Sequence, residues 1–108
     1  MNEMETLKEK VKTISKSEAK GKKYKVVTDK GRTINFGAIK STGEPYDQYR
    51  DSTPLKLYKH KDHGDPKRRK NYFMRHSGES TKRLALQKEI LKSSGLLNAK
   101  ILSHKYLW

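Results

Sequence analysis

The stretch Lys23–Gly37, KYKVVTDKGRTINFG, decides the fold. Its β-branched and aromatic residues flank a loop centred on Asp-Lys-Gly, which is the pattern of a β-hairpin. Side-chain faces select the register. A two-residue loop at Lys30-Gly31 would oppose Val27 to Ile34 and Lys25 to Phe36. A three-residue loop, Asp29-Lys30-Gly31 with Gly31 left-handed, opposes Val26 to Ile34 and Tyr24 to Phe36 instead. The second register gathers Tyr24, Val26, Ile34 and Phe36 on one face and is preferred, because a slip of one residue scatters that set. Tyr24 and Phe36 are expected as core rather than as nucleobase platforms, since aromatics paired across a hairpin usually pack inward.

Upstream, residues 1 to about 20 read as a helix. Leu7, Val11 and Ile14 recur at helical spacing on a Lys/Glu-rich background, and Gly21 suits a left-handed cap. Downstream, residues 37–54 form a connection with turn signals at Gly43 and Pro45. Leu55, Leu57 and Tyr58 follow Pro54 as a short helix or turn leading to His60. Asp65-Pro66 predicts a helix start, Asp accepting from the free N–H groups and Pro suiting the first position. That helix runs to about His76 and closes at Ser77-Gly78, with Tyr72, Phe73 and His76 inward and Arg68, Arg69 and Arg75 partly outward. Ser80 is the expected cap of the next helix, which runs to about Ser93. Leu84, Ala85, Leu86, Ile90 and Leu91 form its buried side, and Gly95 stops it. Leu96, Leu97, Ile101, Leu102, Leu107 and Trp108 make the last segment either a core element or an interface for another subunit. The expected class is α+β: a small β-hairpin packed with three to four short helices. Residues 1–21 are expected as an N-terminal helical arm, and residues 22–108 as a single small basic domain.

With 31% hydrophobic and 35% charged residues in 108, the chain can bury only a modest core. Its 26 Lys and Arg against 12 Asp and Glu leave a formal charge of +14, and the pI is near 10.0. A field of that sign draws polyanions: nucleic acid first, acidic surfaces after it. The absence of cysteine excludes disulfides, thiolate catalysis and Cys-based zinc sites. No run approaches the roughly 18 apolar residues of a membrane span, and the first residues, MNEMETLKEK, lack the apolar core of a secretory signal. A cytosolic, nuclear or virion-interior setting is expected.

The unusual chemistry concentrates in Tyr46–His76, which holds four of the six tyrosines and three of the four histidines. Lys67-Arg68-Arg69-Lys70 falls in the first turn of a helix, where the dipole disfavours cations. An anion docked at that helix end would relieve the conflict. Lys61, Lys67, Arg68, Arg69, Lys70 and Arg75 are therefore the candidate phosphate contacts. Tyr46 and Tyr49, which alternate with cations, are candidate stacking rings. If Lys67, Arg68, Arg69, Lys70 and Arg75 neutralise about five phosphates, affinity for duplex should fall with salt at a log–log slope of about −4 to −5. No motif for reading base edges is present, so backbone binding with little sequence preference is expected.

His60, Asp62, His63 and His76 are the one set with metal-ligand character, but their spacing matches no recognised site. In so positive a field those histidines should be biased toward neutrality. Asp47, Asp51, Asp62 and Asp65 sit amid Lys and Arg, where ion pairing is the simpler role. No Gly-rich phosphate loop, nucleophile elbow or paired-carboxylate signature appears. The chain reads as a non-enzyme without cofactors, with a small metal-dependent nuclease as the lesser alternative.

The ordered set KKYKVVTDKGRTINFGA, His60-Lys61-Asp62, Asp65-Pro66-Lys67-Arg68-Arg69, Tyr72 and Arg75-His76 resembles a family of short uncharacterised basic proteins of large DNA viruses and some tailed phages. The tail from Ala99 to Trp108 looks like that family's closing segment, so the likeness covers residues 22–108. The connection from Ser41 to Glu44 looks expanded by comparison. The resemblance implies a viral gene product and a structural role in the virion, as a minor capsid or core-associated component touching nucleic acid or acidic capsid surfaces. Host cytoplasm or nucleus would house it during infection. The rival reading is an intracellular, sequence-nonspecific nucleic-acid-binding regulator.

Overall fold

The hairpin forms in the three-residue-loop register. In the computed structural model, which describes residues 7–108, β2 (Lys22–Thr28) pairs with β3 (Thr33–Ala38) so that Tyr24 faces Phe36 and Val26 faces Ile34. Arg32 O accepts from Thr28 N at 2.9 Å to close the loop, and Gly31 takes a φ of 78°. That left-handed backbone is why glycine stands there.

The hairpin belongs to a three-stranded antiparallel sheet in the order β1-β2-β3, and this corrects the helical reading of the N-terminal region. β1 (Val11–Lys16) lies along β2, from Val11 opposite Thr28 to Lys16 opposite Tyr24. The helix-like spacing of Val11 and Ile14 has a different cause. A bulge between Val11 and Thr13 shifts the alternation by one residue, so two positions three apart are both half-buried against the core. Residues 8–21 are thus part of the same body as the rest of the chain, not a separate arm. The expected helix over residues 1–6 lies outside the described residues. Strand β1 is an edge, and exposed Lys12 and Lys16 guard it against pairing with another chain.

Three α-helices follow a long irregular connection that includes one 3₁₀ turn at Lys59–Lys61. Helix α1 (Pro66–Ser77) begins and ends where its sequence signals lie. Asp65 caps it, Pro66 opens it, and Gly78 closes it at φ 69°. Tyr72 and Phe73 face inward as expected, but His76 is exposed and Ser77 is buried in its place. Helix α2 (Lys82–Lys92) is capped by Thr81, whose hydroxyl accepts from Leu84 N, rather than by Ser80. Leu84 and Leu91, expected inside, are 41% and 51% exposed, while Ala85 and Glu89 are buried. The two leucines stand seven apart, on the side turned away from Ala85.

Helix α3 (Ala99–Tyr106) is the helix that makes the main core. Ile101 and Leu102, flanked by Leu97 and Leu107, pack on the hairpin face of Tyr24, Val26, Ile34 and Phe36, with Tyr58 at the edge. Of the two readings of the last segment, this is the core element. Its large apolar residues fill the body, and only Leu96 among them is substantially exposed. A smaller cluster of Tyr72, Phe73 and Ala85 joins α1 to α2 and packs against Trp108. The architecture is mixed α+β. Among the described residues no helix is long and apolar enough to cross a membrane.

Candidate nucleic-acid interface

An open cleft of about 630 Å³ lies where the start of β2 and the end of β3 face α1 and α3. Its lining carries Lys22, Lys23, Lys40, Arg68, Arg75 and Lys100 against a single acid, Asp47. Tyr46, Tyr72 and Trp108 add aromatic surface, and His76 stands on the α1 wall.

Helical geometry divides the basic run of α1. Arg68 and Arg75, seven residues and about two turns apart, point the same way, into the cleft. Lys67 and Lys70 are exposed but lie on another side of the helix and do not line the cleft. Arg69 turns inward: its guanidinium sits 4.6 Å from the Tyr49 ring centroid, and its Nε donates to the main-chain oxygen of Trp108 at 2.8 Å. The conflict with the helix dipole is settled within the chain. The Asp65 carboxylate accepts from Lys67 N at 2.9 Å and from Arg68 N at 3.4 Å, so a carboxylate already occupies the place where an external anion was expected.

The other expected contacts divide similarly. Lys61 is paired with Glu44 at 2.6 Å, outside the cleft. Tyr49 is half-buried, with Arg69 over its ring, whereas Tyr46 is 50% exposed on the rim of the cleft with Lys40 Nζ 5.4 Å from its centroid. Of the acids expected in ion pairs, Asp47 lies 3.7 Å from Arg68. Asp51 and Asp62 instead organise the connection. Asp51 accepts from Tyr24 Oη, Tyr58 N, Thr53 N and Thr53 Oγ1. Asp62 accepts from Asp51 N and Gln48 Nε2. These bonds outweigh the upward pull of burial and hold the Asp51 carboxyl below its ordinary range.

The histidines with ligand character are dispersed. His60 is exposed on the 3₁₀ turn, His63 Nδ1 accepts from Asp65 N at 2.9 Å, and His76 packs 4.5 Å from the Tyr72 ring. Among the described residues, no group of three or more His, Asp or Glu side chains is placed to hold a metal ion.

Sequence reading passed over Lys23, Lys22, Lys40 and Lys100. Lys23 is 2% exposed, and its Nζ donates to Tyr46 O at 2.7 Å and to Gln48 Oε1 at 2.6 Å. Burial pulls its pKa down to about 8, against the opposing pull of Asp51, Asp47 and Asp62. Space for its stem comes from Gly37, at φ 82° in β3. A Cβ added there would lie 2.8 Å from Lys23 Cβ. The available signal was the strand alternation, which puts Lys23 on the face opposite Tyr24 and Val26. What covers that face could not be read from local sequence.

A buried chain of hydrogen bonds stands behind the α1 wall. Tyr72 Oη meets His104 Nδ1 at 2.9 Å, His104 Nε2 meets Ser77 Oγ at 2.8 Å, and Ser77 Oγ donates to Glu89 Oε2 at 2.8 Å. Tyr72 also stacks on Trp108, the rings 4.1 Å apart and 2° from parallel. These contacts fix the wall that carries Arg68, Arg75 and His76. Fold and site together define a small mixed α+β protein with a preformed cationic cleft. Comparison with known proteins gives no match: no family model, curated protein or solved structure is significantly similar to the chain.

Proposed function

We propose that this is a non-enzymatic nucleic-acid-binding protein that grips phosphates in the cleft between the sheet and helices α1 and α3. The carrying observation is the composition of that cleft, six cations to one acid, drawn from β2, α1, α3 and the connection after β3. Such a lining attracts a polyanion wherever its sequence of bases runs, so the binding is to backbone rather than to base edges. The roles of Asp51 and Asp62 as acceptors for main-chain and side-chain donors favour binding over metal-assisted hydrolysis, because a nuclease needs such carboxylates free for metal.

The viral setting rests on the sequence resemblance alone. It makes the protein a structural virion component, minor capsid or core-associated, with nucleic acid as the partner favoured by the cleft and acidic capsid surface as the other. Two measurements test the proposal. Changing Arg68, Arg75 and Lys100 together to Gln should weaken binding of labelled DNA at low salt by about 100-fold or more, each substitution taking about 1 kcal/mol. Unchanged affinity would place the interface elsewhere. Proteomics of purified particles should find the chain, and its absence from them would remove the structural role while leaving the regulator reading.

A further inference from the structure

We infer that the cleft takes a single nucleic-acid strand in preference to a duplex, with Lys23 at its inner end holding one backbone phosphate. This rests on the proposed nucleic-acid role and specifies its substrate.

The first ground is the state of Lys23. An ammonium has three hydrogens to donate. Two go to neutral oxygens, Tyr46 O and Gln48 Oε1. Among the described residues no carboxylate forms an ion pair with it. Beyond these, Nζ has the face of the Tyr58 ring, centroid 5.7 Å away, and a buried cation held by neutral groups alone is costly unless something negative completes it. Lys23 lines the inner end of the cleft while only 2% exposed, so a phosphate entering there reaches its ammonium by taking the place of the Tyr46 oxygen.

The second ground is shape. The cations sit on facing walls, Lys22 and Lys40 on the sheet side and Arg68, Arg75 and Lys100 on the helices. A strand lying between them meets charge on both flanks. A duplex is stiff and carries its phosphates on a convex surface, so it reaches the rim but not Lys23. The cleft's volume, about 630 Å³, is of the size that admits small ligands or a few nucleotides. Tyr46, half exposed on the rim, offers a ring to an unpaired base, the combination of stacking and cations that single-strand binders use.

The test is fluorescence anisotropy with a labelled oligothymidylate of about ten nucleotides, and with the same strand annealed to its complement. The single strand should bind about tenfold or more tighter than the duplex at equal salt. Lys23→Gln should cost about tenfold on the single strand and little on the duplex. Duplex bound as well as the single strand would overturn this inference and leave the nucleic-acid role standing. Binding of neither would overturn both. Should Lys23→Gln fail to fold, the wild-type protein decides the anchor. Calorimetry in two buffers of different ionisation enthalpy at about pH 8.5 should show proton uptake on binding the single strand, because a phosphate would raise the lysine's pKa. No uptake would remove Lys23 from the site.

Discussion

At the scale of single residues, His104 is fully buried with a partner on each ring nitrogen. The Ser77 hydroxyl has one hydrogen, and Glu89 Oε2 receives it. The Ser77–His104 contact therefore needs the hydrogen on His104 Nε2, which leaves Nδ1 to accept from the Tyr72 hydroxyl. Protonating the ring would put a donor where the Tyr72 hydrogen already points. Burial, only partly opposed by Glu89, lowers the His104 pKa to about 4. In the unfolded chain it returns to its ordinary value of about 6.5, so the unfolded state binds more protons between those values. Stability is therefore full above about pH 6.5 and falls as pH drops toward 4. His63, also lowered chiefly by burial, acts in the same direction. Urea unfolding at about pH 7 and pH 4.5 should show a loss of roughly 2 kcal/mol attributable to His104. His104→Gln should be less stable at neutral pH yet lose less on acidification; an unaltered pH profile would contradict the neutral-ring assignment. Gly37→Ala is a second residue-level case. It combines a strained φ with a Cβ 2.8 Å from Lys23 Cβ, so it should cost about 2 kcal/mol or more in unfolding free energy and also displace the Lys23 stem.

Among the elements, β1 is the one whose attachment most needs explaining, and Glu9 supplies it. Just before the strand, Glu9 Oε2 accepts from Thr28 Oγ1 at 2.6 Å, and Oε1 accepts from Arg32 Nη1 at 2.6 Å and Leu97 N at 2.9 Å. One carboxylate thus joins the hairpin loop to the approach to α3. Burial pulls its pKa upward, but the bonds from Thr28 and Leu97 and the charge of Arg32 prevail and hold it below the usual carboxylate range. Glu9→Ala leaves those donors unpaired and should lower stability by about 3 kcal/mol, read as a shift in the denaturation midpoint. A loss below about 0.5 kcal/mol would mean the β1 end is not held this way. The hairpin and α1 were legible because their determinants are local: a loop glycine, paired faces, an Asp-Pro start and a glycine stop. Strand β1 was not, because a bulge gave it the spacing of a helix. The connection from Ile39 to Asp65 was not either, because Gln48, Asp51 and Asp62 take partners that only tertiary structure brings within reach.

For the molecule as a whole, the surplus of charge was plain from composition, but its useful part was not. Reading the basic run as one unit joined five α1 cations that the helix sends in three directions: Arg68 and Arg75 to the cleft, Lys67 and Lys70 to open surface, and Arg69 onto Tyr49. Lys22 comes to the same cleft from the lysine-rich start of β2, and Lys40 and Lys100 come from parts of the chain with no basic run to mark them. The two sets make different predictions about salt. If the six cleft cations each neutralise a phosphate of a single strand, log affinity should fall with log salt at a slope of about −4, from roughly 0.7 per phosphate. Arg68→Gln with Arg75→Gln should reduce the steepness by about 1.4, while Lys67→Gln with Lys70→Gln should leave it nearly unchanged. Both pairs remove two positive charges from the same helix, so net charge cannot account for a difference between them. Equal slopes for the two double variants would mean that binding follows the overall field rather than the cleft. A larger drop in steepness for the Lys67 and Lys70 pair would move the interface to the outer side of α1.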